Sequence, residues 1–216
     1  MTAMATRESR QDGDATDPTA AQPARSRVGA AGEMPAEHAL LGLIVRAGGE
    51  AHGYELARHF DPAHPLGDVL RLEQAMLYQH LKKLERRGWL TMTVQPQESR
   101  PPRRVYRISK EGRAELRRWL EEPVARTREI RLEFLVKLFF AIHLDRDRAR
   151  RLIAEQLAVC QQLVGSLEDQ LAALTAGEES TASEDGFERV VLELRRDQTR
   201  AAAGWLERVA DWIERA

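Results

Sequence analysis

Residues 75–112, AMLYQHLKKLERRGWLTMTVQPQESRPPRRVYRISKEG, begin as an apolar-periodic helix and end as two alternating, basic segments around a proline-rich turn. Leu77, Leu81 and Leu84 recur at i, i+4 and i+7, so one face is buried. At 100° per residue Ala75, Gln79, Lys82 and Arg86 fall on the opposite face, flanked by Tyr78 and Lys83. The spacing predicts a helix from about Glu73 to Arg87, stopped at Gly88. WLTMTV and RRVYRI each alternate as half-buried strands do. The turn-rich QPQESRPP joins them into a hairpin. Between Gln74 and Arg118 stand twelve Lys or Arg against four Glu, a local excess of eight positive charges in a chain of net charge −1. A basic module joined to an acidic remainder points to one surface that faces a polyanion.

Working outward, EHALLGLIVRAGG reads as a helix from about Pro35 with a glycine stop, and HGYELARHFDP as a short second helix ended by Asp61-Pro62. DPAHPLG reads as a loop and VLRL as a brief strand contact. Three helices followed by a hairpin is the order of a winged helix-turn-helix. The third helix would enter a DNA major groove, and the hairpin's cations, Arg100, Arg103 and Arg104, would reach phosphates or the minor groove. Tyr78, Gln79, Lys82, Lys83 and Arg86 are the helix's candidate DNA contacts, with Gln79 suited to an adenine edge. Arg107 is expected to pair with a strand neighbour instead. Ser109 is placed to cap a further helix that carries Leu116, Trp119 and Leu120.

Residues 1–34, rich in Ala, Thr, Asp, Gly, Pro and Arg without an apolar period, read as a disordered tail. The expected division is a winged-helix domain over 35–123 and a helical dimerisation domain over 124–216. In the second half, Glu129 to His143 is apolar-rich. A helix over about 146–176 sets Ile153, Leu157, Cys160, Val164, Leu167, Leu171 and Leu174 on a heptad seam. After the polar GEESTASEDG, a last helix sets Phe187, Val191, Leu194, Gln198, Ala201, Trp205, Val209 and Trp212 on a second seam. Two long helices with narrow seams bury little surface as one copy, so a homodimer is expected ahead of the alternative, an intramolecular hairpin alone. Its interface residues would be Ile153, Leu157, Cys160, Val164, Leu167, Leu171, Leu194 and Trp205. The fold class expected is mainly α with a small β-hairpin, the C-terminal part being antiparallel helices.

These stretches resemble the PadR family of transcriptional regulators. HGYELARHF is similar to the family's second helix, LEQAMLYQHLKKLERRGWL to its recognition helix, and RRVYRISKEGRAEL to its second wing strand and following helix. REIRLEFLVKLFFA and the long helix after it resemble the larger C-terminal domain of the virulence-activator-like branch. The resemblance spans roughly residues 36–216. It implies operator binding by a homodimer at a pseudo-palindromic site of double-stranded DNA, with Tyr78 among the contacts. It permits a phenolic or planar aromatic effector; Trp119, Phe134, Phe139, Trp205 and Trp212 either line an apolar pocket for one or are simply core. Two departures stand out: Gln79 replaces the family's frequent proline, and Ser99-Arg100-Pro101-Pro102 replaces its glycine-rich wing tip.

Other classes find little support in the residues. There is no glycine-rich phosphate loop, nucleophile elbow or placed acid pair, so an enzyme is not expected. The histidines, His52, His59, His64 and His80 among them, lack metal-ligand spacing, and no cofactor is expected. The single Cys160 excludes an internal disulfide and reads as a small buried hydrophobe. No apolar run approaches the roughly 20 residues that cross a bilayer, and MTAMATRESRQDGDATDP lacks the apolar core of a secretory signal, so the cytoplasm is the expected compartment. The rival reading is a winged-helix and coiled-coil module that binds other proteins and no specific DNA.

Overall fold

The computed structural model describes residues 35–96, 103–176 and 183–215, which form one compact unit. The expected tail before Pro35 lies outside these residues.

Helix α1 (Pro35–Arg46) is buried along nearly its whole length and forms the centre of the N-terminal half. It is closed by Gly48 and Gly49, whose φ values of 88° and 105° are open to glycine at little cost. Strand β1 (Glu50–His52) leads into α2 (Gly53–Arg58), and α3 spans Pro65–Val69. Helix α2 stands where a short helix was expected, whereas α3 falls within the stretch read as loop and strand, and VLRL forms no strand. Pro65 stands at the start of α3, where its missing N–H costs nothing. Helix α4 (Gln74–Arg86) ends at Gly88, φ 73°.

Strands β2 (Leu90–Gln95) and β3 (Arg103–Ile108) form the expected hairpin, but the sheet has three strands in the order β1-β3-β2, all antiparallel. Glu50 stands opposite Arg107, which donates to its carboxylate at 2.6 Å. Helix α5 (Lys110–Glu121) begins at Ser109, whose hydroxyl accepts from the Gly112 N–H at 3.0 Å.

The C-terminal half opens with α6 (Thr127–Glu129), a π-wound turn over Ile130–Phe134 and α7 (Leu135–Leu144). Two long helices follow, α8 (Arg146–Ala176) and α9 (Ser183–Arg215), packed antiparallel as a hairpin. Val136 and Phe140 of α7 sit in the same apolar cluster as α1, α2, α4 and α5, so the core runs across the expected boundary at residue 123. The ring of Phe140 lies where a side chain on Gly42 would be. Cys160 is buried, and burial pushes its thiol pKa up.

The α8 seam packs within one chain, and the α9 seam lies in a different register from the one expected. Ile153, Cys160 and Leu167 are already buried within a single chain, so their side chains offer no surface to a second copy. Leu157 and Trp205 pack on that same core, while Val164 and Leu171 are half-buried. On α9 the buried ridge is Leu192, Thr199, Leu206 and Ile213, spaced by sevens and one residue away from the expected register. Thr199 hides this ridge from a count of apolar residues. Its buried hydroxyl donates to the Arg195 carbonyl at 2.7 Å and lies 2.8 Å from the Thr127 hydroxyl. Leu194, at 56 % exposure, remains on the surface with Phe187 and Val190.

Candidate nucleic-acid interface

Helix α4 is divided by its own periodicity. Leu77, Leu81 and Leu84 are wholly buried, while Ala75, Gln79, Lys82 and Arg86 face solvent. Lys82 and Arg86 make no ion pair among the described residues, so their charge is available to phosphates. Tyr78 is half-buried against Gly53. A side chain there would put a Cβ 2.8 Å from the tyrosine ring and 3.1 Å from its hydroxyl, so the glycine fixes where that hydroxyl lies.

Lys83 has a partner within the fold. Its ammonium donates at 2.5 Å to Glu37, whose carboxylate is completely buried. Removing Lys83 would leave part of a buried carboxylate's charge uncompensated, so its ammonium is committed to Glu37 although its side chain is 37 % exposed. Arg87 donates to the other oxygen of Glu37 at 2.9 Å. Arg118, also in the basic stretch, is engaged by Glu115 and Glu122. The positive excess read from the sequence is therefore partly neutralised within the fold. Lys82, Arg86 and the wing carry the surface share.

On the wing, the Arg103 guanidinium stands 5.8 Å from the ring of Tyr54, which is itself stacked on His52 at 5.7 Å. Arg104 is exposed. Burial raises the Tyr106 pKa, and Arg104 opposes the rise. Arg100 lies outside the described residues. Tyr54, 47 % exposed beside Arg103, is a contact candidate that sequence reasoning missed. Its signal was present: Tyr54 falls off the Leu56–Phe60 face of α2 and so cannot join the core.

The five aromatic residues of the expected pocket are not brought together. Trp119 is buried between His38, stacked at 4.5 Å, and the Lys137 ammonium, 4.9 Å from the ring. Phe134 and Trp205 meet edge to face in the C-terminal core, and Trp212 is 53 % exposed. Phe139 borders a hollow of about 260 Å³, shared with Arg46, His59, His64, Leu66 and His143. Burial there lowers the pKa of His59, helped by Arg46, His64 and Arg58.

Comparison with known proteins gives two consecutive family matches. Residues 40–118 match the Transcriptional regulator PadR-like family, and residues 130–214 match Virulence activator alpha C-term. The chain is 28 % identical over 183 residues to the Negative transcriptional regulator PadR of Bacillus subtilis (strain 168), covering 83 % of this chain and 97 % of that protein. It is 38 % identical over 95 residues to the Probable transcriptional regulator Rv1176c of Mycobacterium tuberculosis, covering 44 % of this chain and 48 % of that protein. Among solved structures it is similar to Bacillus subtilis PadR in complex with operator DNA, with 26 % identity, 82 % of this chain and 98 % of that chain covered, and a TM-score of 0.39.

Proposed function

We propose, from the PadR-like family domain over residues 40–118 and the similarity to a negative transcriptional regulator, that the chain is a homodimeric repressor that reads a pseudo-palindromic operator and answers to a small-molecule effector. The observation that carries DNA reading is the division of α4. Its leucine face is buried, and Gln79, Lys82 and Arg86 share the solvent face beside a basic wing. Lys82 and Arg86 would neutralise phosphates, while Gln79 would read a base edge. Tyr54, Tyr78, Arg103 and Arg104 would extend the contact along the backbone. This work needs no catalytic group, and a regulator of chromosomal DNA acts in the cytoplasm. Among the described residues no helix is long and apolar enough to cross a membrane.

Two-fold symmetry would set two copies of α4 in successive major grooves, about 10 base pairs apart. Phe187, Val190 and Leu194, spaced i, i+3 and i+7 on α9 and all exposed, are the surface available for the second copy. Repression is supported by the relative named as a negative regulator. The hollow at Phe139 is the place for the effector: an aromatic wall with a guanidinium 5.1 Å from its centre suits a planar anion.

Footprinting on DNA from upstream of the protein's own coding region tests the reading. One protected region holding an inverted repeat is expected. Uniform protection, or none at low salt, would favour the protein-interaction module.

A further inference from the structure

Glu37 lies in the first turn of α1 with none of its side chain exposed. Three nitrogen atoms from or next to α4 converge on it. His80 Nδ1 is 3.3 Å and Lys83 Nζ 2.5 Å from one carboxylate oxygen, and Arg87 Nη1 is 2.9 Å from the other. Positions 80, 83 and 87 span about 60° of helix circumference at 100° per residue. This arc borders the leucine face, whereas Gln79, Lys82 and Arg86 point away from the leucines.

The two kinds of contact constrain different motions. Leucine packing sets the distance of α4 from the core but is non-directional. Hydrogen bonds weaken steeply with angle, so three donors on one fixed carboxylate set the helix's roll. A roll of about 20° at a side-chain radius of about 5–6 Å moves a groove-facing group by about 2 Å. That displacement is enough to break a base contact. Arg87 also lies over the ring of Trp89 at 5.0 Å, which carries the constraint to the start of the wing.

We propose that Glu37 is a positioning residue for operator reading: it fixes the roll of α4 so that Gln79, Lys82 and Arg86 meet the groove in one register. This rests on the DNA-reading function above. The test uses the full chain as wild type, Glu37→Gln and Lys83→Gln. Affinity is measured for the upstream duplex and a scrambled duplex well below the unfolding temperature, with amide hydrogen exchange of residues 80–87 read in parallel. In Glu37→Gln, scrambled-duplex affinity should stay within about twofold, because phosphate contacts survive a small roll. Discrimination between the duplexes should fall about tenfold, with Lys83→Gln intermediate. A folded Glu37→Gln that keeps full discrimination overturns the proposal. If that variant fails to fold, full discrimination by Lys83→Gln overturns it instead. If wild type itself does not discriminate, the DNA-reading function fails separately, and exchange at residues 80–87 decides. Faster exchange relative to α5 in either folded variant supports the clamp, and unchanged exchange refutes it.

Discussion

Gln79 and Lys82 are three residues apart on one face of α4, yet their removal should be felt differently. Lys82→Ala should weaken binding to every duplex and reduce the salt slope by about 1, the signature of one lost phosphate contact. Gln79→Ala should leave the slope intact and lose about 1–3 kcal/mol of discrimination at one base pair. Anisotropy titrations over a salt series and a panel of single-pair operator variants separate the two. Gly42 carries a stability prediction. A Cβ at this position would stand 2.6 Å from the Phe140 ring, so Gly42→Ala should cost about 1–3 kcal/mol by overpacking, read as a lower midpoint in urea. At this scale the leucines were legible because periodicity alone buries them. Glu37 was not: a carboxylate in the first turn of a helix ordinarily faces water, and only the approach of α4 reveals its three partners.

Helix α5 joins the wing to the C-terminal half, and both its start and its middle are held by specific polar bonds. Ser109 caps it and also donates to the Gly88 carbonyl at 2.7 Å. Ser109→Ala should cost about 0.5–2 kcal/mol, measured by chemical denaturation. In the middle, burial pushes the Glu115 pKa up, but hydrogen bonds from Arg118 and His38 outweigh it and hold the carboxyl below its ordinary range. A lowered folded-state value means that the contribution of Glu115 is complete above the ordinary glutamate range. It is lost as pH falls through the lower folded-state value. The stability gap between wild type and Glu115→Gln should therefore be widest near neutral pH and close on acidification. A gap independent of pH would contradict the assignment. The elements that sequence reading missed are the short ones. Strand β1 has three residues and no room for alternation, and α3 begins at a proline usually read as a break. The α9 register slipped because its buried ridge passes through a threonine satisfied by a partner 72 residues away.

Over the whole molecule, the α8–α9 hairpin shows why helix seams alone do not specify an oligomer. The two seams were legible as paired helices, but nothing in their spacing says whether the partner helix belongs to the same chain. Packing within one chain covers Ile153, Cys160 and Leu167 and leaves Phe187, Val190 and Leu194 outside. Charging that face, as in Phe187→Asp with Leu194→Asp, should give a folded monomer by light scattering and weaken operator binding. A dimer that persists would move the interface elsewhere. The placement of the aromatic residues was least legible, because such side chains serve a core as readily as a cavity, and four of the five candidates lie away from the hollow that Phe139 borders. The division of α4 into a buried and a solvent face was more legible, since an amphipathic helix followed by a basic hairpin leaves few arrangements open. The most direct measurement is fluorescence anisotropy with the upstream duplex and its scrambled counterpart, across salt, for wild type and Lys82→Ala with Arg86→Ala. Tighter wild-type binding to the upstream duplex, weakening with salt, is the expected result, with a slope reduced by about 2 in the variant. Equal affinity for both duplexes, or a variant indistinguishable from wild type, would contradict groove reading by α4.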